Sequence, residues 1–158
     1  MNRKSQGVTL IEVLAVLGIL VLISAMAIPA LSLFRSQTAL KHSARAVQSL
    51  MQQARTMAIA QGKEFTVRIN PAEGSAVILD GTAEASKKWL APAAVEITDV
   101  SGNPATFDLV FKPDGGAKNN ISVHMKRRDA LASDATKYYT ITIVNNTGTA
   151  RIYPTKQN

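Results

Sequence analysis

Residues 5–18 read SQGVTLIEVLAVLG, and this stretch opens the apolar run that decides the fold. From Val8 to Phe34 the only charged side chain is that of Glu12. At a rise of about 1.5 Å per residue, a helix of this length is long enough to cross a bilayer core of about 30 Å. Two basic residues, Arg3 and Lys4, precede the run and favour a cytoplasmic N-terminus. The stretch therefore predicts a membrane-anchoring helix that carries one acid.

Composition indicates one small domain attached to this helix. The chain has 158 residues, of which 46% are hydrophobic, and much of that apolar content lies before residue 35, so the remainder can bury only a modest core. There is no cysteine, which excludes a disulfide framework and a thiolate metal site. The formal charge of +7 suits an anionic partner such as nucleic acid, lipid headgroups or cell-wall polymer, and composition does not choose among them.

Three interpretations of the N-terminus are open. A removable signal peptide is one, because Ala25-Met26-Ala27 has the small-x-small pattern of a cleavage site. A plain signal anchor is the second. Glu12 argues against the first, since an acid in the apolar region costs up to about 3 kcal/mol on insertion scales, and Pro29 follows the supposed cleavage site closely.

The third interpretation places a cut after Gly7. The cut would leave a free amine on Val8, four residues before Glu12. A carboxylate in lipid needs a cationic partner, and its own terminus or that of a neighbouring subunit is available. The pair of the Val8 amine and the Glu12 carboxylate predicts a contact that docks helices lying side by side.

Gly7 followed by VTLIEV resembles the prepilin cleavage and methylation motif of type IV pilins and type II secretion pseudopilins. The resemblance implies that a prepilin peptidase and methylase cuts after Gly7 and N-methylates Val8. It also implies that Glu12 meets the amine of an adjacent subunit and that Pro29 occupies the position of a helix-kinking proline. This sequence has Val8 where the family more often has Phe.

The residues after this run predict an amphipathic continuation of the helix. Between Leu31 and Ala60 the apolar residues recur mostly at spacings of three and four: Leu33, Leu40, Ala44, Val47, Leu50, Met51, Ala54, Met57 and Ala58. Pro29 should bend the helix rather than end it, and Gly62 is a suitable C-terminal cap. One helix of roughly fifty residues is expected.

After Gly62 the period changes from that of a helix to that of strands. Short alternating segments separated by turn residues predict antiparallel strands packed on the helix. The segments are Phe65–Ile69, Ala76–Leu79, Val95–Ile97, Phe107–Phe111, Ile121–Met125, Tyr139–Val144 and Ala150–Tyr153. The predicted fold class is α+β, with one long N-terminal helix on a small antiparallel β domain.

Three further stretches resemble the GspH/FimT group of minor pilins and pseudopilins. LMQQARTMAI at residues 50–59 resembles the late-helix signature of that group, FKPDG at 111–115 its Phe-x-x-x-Gly turn, and TGTARI at 147–152 its C-terminal hairpin. The order and spacing of the three carry more weight than any one alone. The resemblance implies a type IV pilin-like fold, with two short sheets against the long helix.

Neither a catalytic site nor a cofactor or metal site is predicted, and no small-molecule substrate is expected. His42 on the helix is interpreted as a solvated residue, and His124 has no acid or nucleophile at a recognisable spacing. Gly115-Gly116 is not followed by the Lys-Ser/Thr of a phosphate-binding loop. The chain is instead expected to be the substrate of an enzyme, the peptidase that cuts after Gly7.

The C-terminal part is basic, and Lys126-Arg127-Arg128 is its densest cluster. A solvated loop or strand end is the plainer interpretation. The alternative is contact with DNA phosphate, as some FimT-like pilins make, with Arg151 as a further candidate. The Gly-Arg-x-Arg pattern of that group is absent, since Gly148-Thr149-Ala150-Arg151 supplies one arginine.

The sequence thus predicts a minor pseudopilin or pilin, a subunit at or near the tip of a type II secretion pseudopilus or type IV pilus. The expected organisation is a leader (1–7), a membrane or filament-core segment (8–30), an amphipathic segment (31–62) and a β domain (63–158). The expected location is the bacterial inner membrane, with a single pass and a periplasmic C-terminal domain. The alternatives are a DNA-binding minor pilin for DNA uptake and a membrane-anchored extracytoplasmic binding domain.

Overall fold

A computed structural model of the chain describes residues 9–99, 105–128 and 138–154, and for residues 26–33 it describes the backbone alone. The helix α1 spans Leu10–Gln61 and is 52 residues long. The strands that follow within the described residues are β1 (Phe65–Asn70), β2 (Ser75–Asp80), β3 (Ala83–Glu84), β4 (Trp89–Leu90), β5 (Val95–Thr98), β6 (Phe107–Phe111), β7 (Ile121–Arg127), β8 (Tyr138–Val144) and β9 (Thr149–Tyr153). The chain divides into two compact units, Met1–Arg35 and Ser36–Asn158.

The first unit contains the N-terminal part of α1, whose apolar side chains are exposed from Leu10 to Ile23. Pro29 lies within the bounds of α1, so the prediction that the helix continues past the proline is confirmed, and the bend there stays a prediction. Among the described residues, no helix has a stretch that is long and apolar enough to cross a membrane. Gly7 and Val8 lie outside the described residues.

In the second unit α1 buries one stripe of apolar side chains. The fully buried positions follow one another at intervals of four and three: Leu40, Ala44, Val47, Met51, Ala54 and Ala58. This spacing keeps them on one face of a helix. The predicted amphipathic pattern is confirmed, and α1 ends at Gln61, before Gly62 with φ of +65°, the conformation that terminates many helices.

Two antiparallel sheets complete the second unit. The larger sheet has five strands in the order β3-β2-β1-β6, with β4 also paired to β2, and the smaller sheet has the order β5-β7-β8-β9. In the larger sheet Val67 is opposite both Ile78 and Leu109. In the smaller sheet Val123 is opposite Ile141. These three buried pairs set the register, because a slip of one residue would turn every apolar side chain to the other face.

The apolar faces of both sheets and of α1 share one core. Alternate residues of β1 point into it, as the period of two requires. The contributors from the strands include Phe65, Val67 and Ile69 from β1, Leu109 and Phe111 from β6, Val123 and Met125 from β7, and Ile141 and Ile143 from β8. The predicted α+β fold, with two small antiparallel sheets on a long helix, is confirmed.

The strands β3 and β4 were not predicted from the sequence. Each has only two residues, which is too short for an alternating pattern to be recognised. Both pair with β2, through Leu79 opposite Glu84 and Ala76 opposite Trp89. Tertiary pairing at the edge of the sheet, rather than local pattern, therefore makes these residues strands.

Candidate functional site

Within the described residues, Thr9 caps the first turn of α1. The N–H of Glu12 is within 3.3 Å of the Thr9 hydroxyl oxygen, and the Thr9 carbonyl accepts from Glu12 and Val13. Thr9 and Glu12 thus have the spacing of a capping box, in which the threonine satisfies an amide that the helix leaves open. A carboxylate in the first turn is also stabilised by the helix dipole. Both effects stabilise the first turn of α1 and so account for an acid at position 12.

A groove beside Glu12 makes this turn a candidate docking site. Its volume is 240 Å³, and the residues that line it are Glu12, Val13, Val16 and Leu17. The three apolar side chains are each about half exposed. The turn therefore presents one carboxylate at the edge of an uncovered apolar surface, an arrangement suited to another apolar helix that brings a cation.

A second candidate feature lies at the other end of α1, where three distant stretches of the chain meet. The Arg55 side chain donates from Nε to the carbonyl oxygen of Gly115 at 2.9 Å. Gly115 ends the turn after β6, and its own N–H donates to Lys112. Gly148, in the turn between β8 and β9, lies against the same carbonyl. We call these residues, Arg55, Gly115 and Gly148, the three-loop cluster.

The contacts in the three-loop cluster require glycine. A Cβ on Gly148 would lie 2.1 Å from the Gly115 oxygen, and a Cβ on Gly115 would lie 2.9 Å from Cδ1 of Ile59. The first distance is to a backbone atom and leaves no room for a side chain, whereas the second is to the end of the Ile59 side chain, which can move. Both glycines also have positive φ, which other residues rarely adopt. The three-loop cluster therefore holds the end of the helix against both turns at van der Waals distance.

Hydrogen bonds extend the three-loop cluster along the neighbouring turns. Asp114 Oδ1 accepts from the Gly116 N–H at 2.7 Å, and this bond, together with nearby Lys112, lowers the pKa of Asp114. The Ala117 N–H donates to the Asn145 carbonyl at 2.7 Å, and the Asn145 N–H donates to Oδ1 of Asn120 at 2.8 Å. The two turns are thus joined by backbone and side-chain bonds in addition to the glycine contacts.

The structure separates the basic residues that are adjacent in the sequence. Arg127 is buried, with 4% of its surface exposed, and Lys126 is 3.4 Å from a carboxylate oxygen of Glu96. Arg128 and Arg151 are exposed. The cluster Lys126-Arg127-Arg128 therefore does not form one continuous cationic surface, and contact with DNA stays a prediction.

The two histidines have different surroundings. His42 is exposed, as the sequence analysis expected. His124 is buried in β7 and packs edge-on against Tyr138 at a ring separation of 6.4 Å. Within the described residues, no group of three or more His, Asp or Glu side chains is placed to hold a metal ion.

Sequence reasoning missed two parts of these sites. Thr9 was not singled out, although Thr-x-x-Glu at the start of an apolar helix is a recognisable signal. The convergence of the three family-like stretches was also missed. Their order along the chain was visible, but their meeting point depends on sheet pairing that a single sequence does not specify.

Comparisons with known proteins agree with this architecture. The family model described as type II transport protein GspH matches residues 43–148, which is more than half of the chain. The prokaryotic N-terminal methylation motif matches residues 2–28. Comparison with curated protein sequences gives no match.

Solved structures with the same fold include two kinds of minor subunit. The minor pseudopilin EpsH from the type 2 secretion system of Vibrio cholerae is 18% identical, with a TM-score of 0.58 and coverage of 72% of this chain and 95% of that one. The type IV minor pilin FimU of Pseudomonas aeruginosa is 15% identical, with a TM-score of 0.57 and coverage of 75% and 95%. The chain therefore belongs to the GspH family of type II transport proteins and is a minor pseudopilin or pilin.

Proposed function

We propose that this subunit is anchored in the bacterial inner membrane by residues 8–30, with its second unit in the periplasm, and then enters a filament at or near the tip. The observation that carries the proposal is the position of Glu12, which lies in the first turn of an exposed apolar helix and five residues after the glycine of the methylation motif. The motif supports processing by a prepilin peptidase and methylase.

The proposed mechanism has two steps. Cleavage after Gly7 gives Val8 a new amine, which the enzyme methylates. In the filament, the amine of one subunit pairs with the Glu12 carboxylate of its neighbour, while Val13, Val16 and Leu17 pack against the neighbouring helix. The charge pair is effective in this setting because low dielectric strengthens the attraction and makes an unpaired charge costly.

Co-expression with a prepilin peptidase tests the first step. Mass spectrometry should show loss of residues 1–7 and the added mass of one methyl group on Val8. A Gly7→Val variant in the same cells is the matched control and should keep the leader. A wild-type chain that retains Met1 beside an active peptidase would contradict the proposal.

Substitution of the acid tests the second step. Glu12→Gln should be cleaved like the wild type but should not enter filaments, because the neutral amide cannot pair with the amine. Glu64→Gln, which changes an acid of the second unit, is the control and should assemble normally. Incorporation of Glu12→Gln at the wild-type level would remove the docking role.

Labelling of the subunit by antibody on sheared filaments tests its position in the filament. Uniform labelling along the shaft would exclude a position at the tip.

A further inference from the structure

The structural bond that Arg55 makes uses only part of its side chain. Its Nε donates to the carbonyl oxygen of Gly115 at 2.9 Å. On an earlier turn of the same helix, Gln48 donates from Nε2 to the carbonyl oxygen of Ala150 at the same distance of 2.9 Å. Nε2 of a glutamine and Nε of an arginine stand at the same position along their side chains. A neutral amide can therefore make such a bond, which requires neither the charge of Arg55 nor its two terminal nitrogens.

The terminal nitrogens of Arg55 are available to a partner. Within the described residues, neither Nη1 nor Nη2 has a hydrogen-bond or ion-pair partner. Since Arg55 has no nitrogen that is both buried and unbonded, these two reach the surface. The acid of the adjacent turn, Asp114, accepts from the Gly116 N–H at 2.7 Å and lies 3.4 Å from Lys112 Nζ. The charge of Arg55 is thus not paired with any described carboxylate.

The fold holds this guanidinium in place before any partner binds. Its Nε lies 3.4 Å from the position that a Cβ of Gly115 would take and 3.3 Å from that of a Cβ of Gly148. The Arg55 side chain therefore packs against both turns of the three-loop cluster and is only partly exposed. An arginine on a free surface loses rotamer freedom when it binds. Because much of that freedom is already lost here, pairing with Arg55 costs less entropy.

Ile59 adds an apolar contact beside Arg55. It follows Arg55 by one turn of α1, so the two side chains lie on the same helix face. Its Cδ1 lies beside Gly115, and 51% of the residue is exposed. An ordered arginine next to an exposed apolar side chain is typical of the residues that dominate binding at protein interfaces. The group that matches the forked nitrogens of arginine is a carboxylate.

We propose that Arg55 and Ile59 form a docking point for an acidic side chain of a neighbouring subunit in the filament. The inference rests on the proposed entry into a filament. The carboxylate pairs with Nη1 and Nη2 while Nε keeps its bond to Gly115. A protein surface is favoured over a small anion, because a small anion would leave Ile59 half exposed. The docking point lies in the second unit and is additional to the contact proposed for Glu12.

Photo-crosslinking of the full chain, in cells that assemble the filament, tests the contact. The photo-reactive residue p-benzoylphenylalanine replaces Ile59. In a control chain it replaces Leu90, an exposed apolar residue of β4. Irradiation should join position 59 to another filament subunit, and mass spectrometry should locate the attachment beside an Asp or Glu of that subunit. Position 90 should not give this product, and the same product from both positions would contradict a specific docking point.

Arg55→Gln separates docking from the structural bond. The glutamine Nε2 can still donate to the Gly115 carbonyl, so the Tm should stay within a few degrees of the wild type. The crosslink from position 59 should fall about tenfold, the effect of losing one charge-assisted pair. Arg151→Gln removes another exposed arginine of the second unit and should leave the yield unchanged. An unchanged yield in Arg55→Gln, or an equal fall in both variants, would overturn the proposal.

A competing acid tests the same nitrogens without altering Arg55. Gln52 is exposed and lies three residues before Arg55, so Gln52→Glu places a carboxylate on the same helix face, where it pairs with Nη1 and Nη2. Gln53→Glu makes the same change at the next exposed position, which faces another way. The crosslink should fall in the first variant and persist in the second. Equal yields in the two variants would show that docking does not use Arg55.

Recovery of the subunit in sheared filaments separates this inference from the proposed function. If the wild-type chain is absent from filaments, the proposed function fails. If it is present but position 59 is joined to no other subunit, the docking point alone is wrong. A product that disappears after nuclease treatment would assign Arg55 to the phosphate of a nucleic acid, and the assignment to a subunit would be wrong.

Discussion

At the scale of single residues, two glycines with the same backbone conformation differ in their surroundings. Gly148 has φ of 60° and Gly81 has φ of 61°. A Cβ on Gly148 would lie 2.1 Å from the Gly115 oxygen, whereas a Cβ on Gly81 would meet nothing within 4 Å. Substitutions at the two positions can therefore separate the cost of backbone strain, present at both, from the cost of a steric clash, present only at Gly148.

Substitution of these glycines should affect stability unequally. Gly81→Ala should lower the free energy of unfolding by about 1–2 kcal/mol, the cost of a left-handed conformation. Gly148→Ala should lower it by about 3 kcal/mol or more, because the three-loop cluster must open as well. Denaturant unfolding followed by the fluorescence of Trp89, the single tryptophan, measures both. Equal losses would show that the clash is relieved at no cost.

Asp114 should make the stability of the second unit depend on acidity. Its folded-state pKa is lowered, first by the Gly116 N–H, so its contribution is present above the unfolded pKa of about 3.9 and is lost as pH falls through the folded value. The difference in unfolding free energy between wild type and Asp114→Ala should be constant from about pH 7 to 5 and should shrink below about pH 4. Asp114→Asn, which keeps the acceptor without the charge, should give a difference from Asp114→Ala that does not change with pH.

At the scale of elements, the helix and the longer strands were predictable because each has a period. The stripe from Leu40 to Ala58 repeats at three and four, and β1 alternates at two, so burial in these elements follows the sequence pattern. The strands β3 and β4 have no period, and their pairing with β2 is decided by the rest of the sheet. The three-loop cluster was predictable only as three separate stretches, since sheet order brings Gly115 and Gly148 together.

Close packing of α1 on the sheets is set by small residues. Ala54 is fully buried in the core, whereas Ala60 on the same helix is exposed. Ala54→Leu should lower the free energy of unfolding by about 1–3 kcal/mol, because added methyl groups force the helix from the sheets. Ala60→Leu should change it by less than about 0.5 kcal/mol. A neutral result for Ala54→Leu in denaturant unfolding would indicate that the interface can repack.

At the scale of the whole molecule, the chain combines a unit with an uncovered apolar surface and a unit with its own core. Among the residues whose side chains the structure describes, the core cluster begins at Leu40 and draws only on residues after Arg35. The described core thus lies within the second unit. The first unit has exposed apolar side chains from Leu10 to Ile23, a contiguous apolar surface of the kind that marks an interaction site.

A fragment of residues 36–158 should therefore fold without the first unit. We expect it to be soluble and monomeric, to unfold in one cooperative transition, and to keep a Tm within a few degrees of the full chain in detergent. Circular dichroism and calorimetry measure both chains. A broad transition or a fall of more than about 10 °C, which corresponds to a loss of about 2 kcal/mol for a domain of this size, would show that the core depends on the first unit.

The three-loop cluster also has a consequence for the order in which the chain becomes folded. Arg55 and Gly115 are 60 residues apart, and the Gln48 side chain donates to the Ala150 carbonyl across 102 residues. Contacts over such separations form late, since a long loop must close first. A chain synthesised only as far as residue 144 lacks Gly148, Ala150 and the whole of β9. The helix end is therefore fastened only once Gly148 and β9 have been made, so that a nascent chain that lacks them lacks a finished second unit.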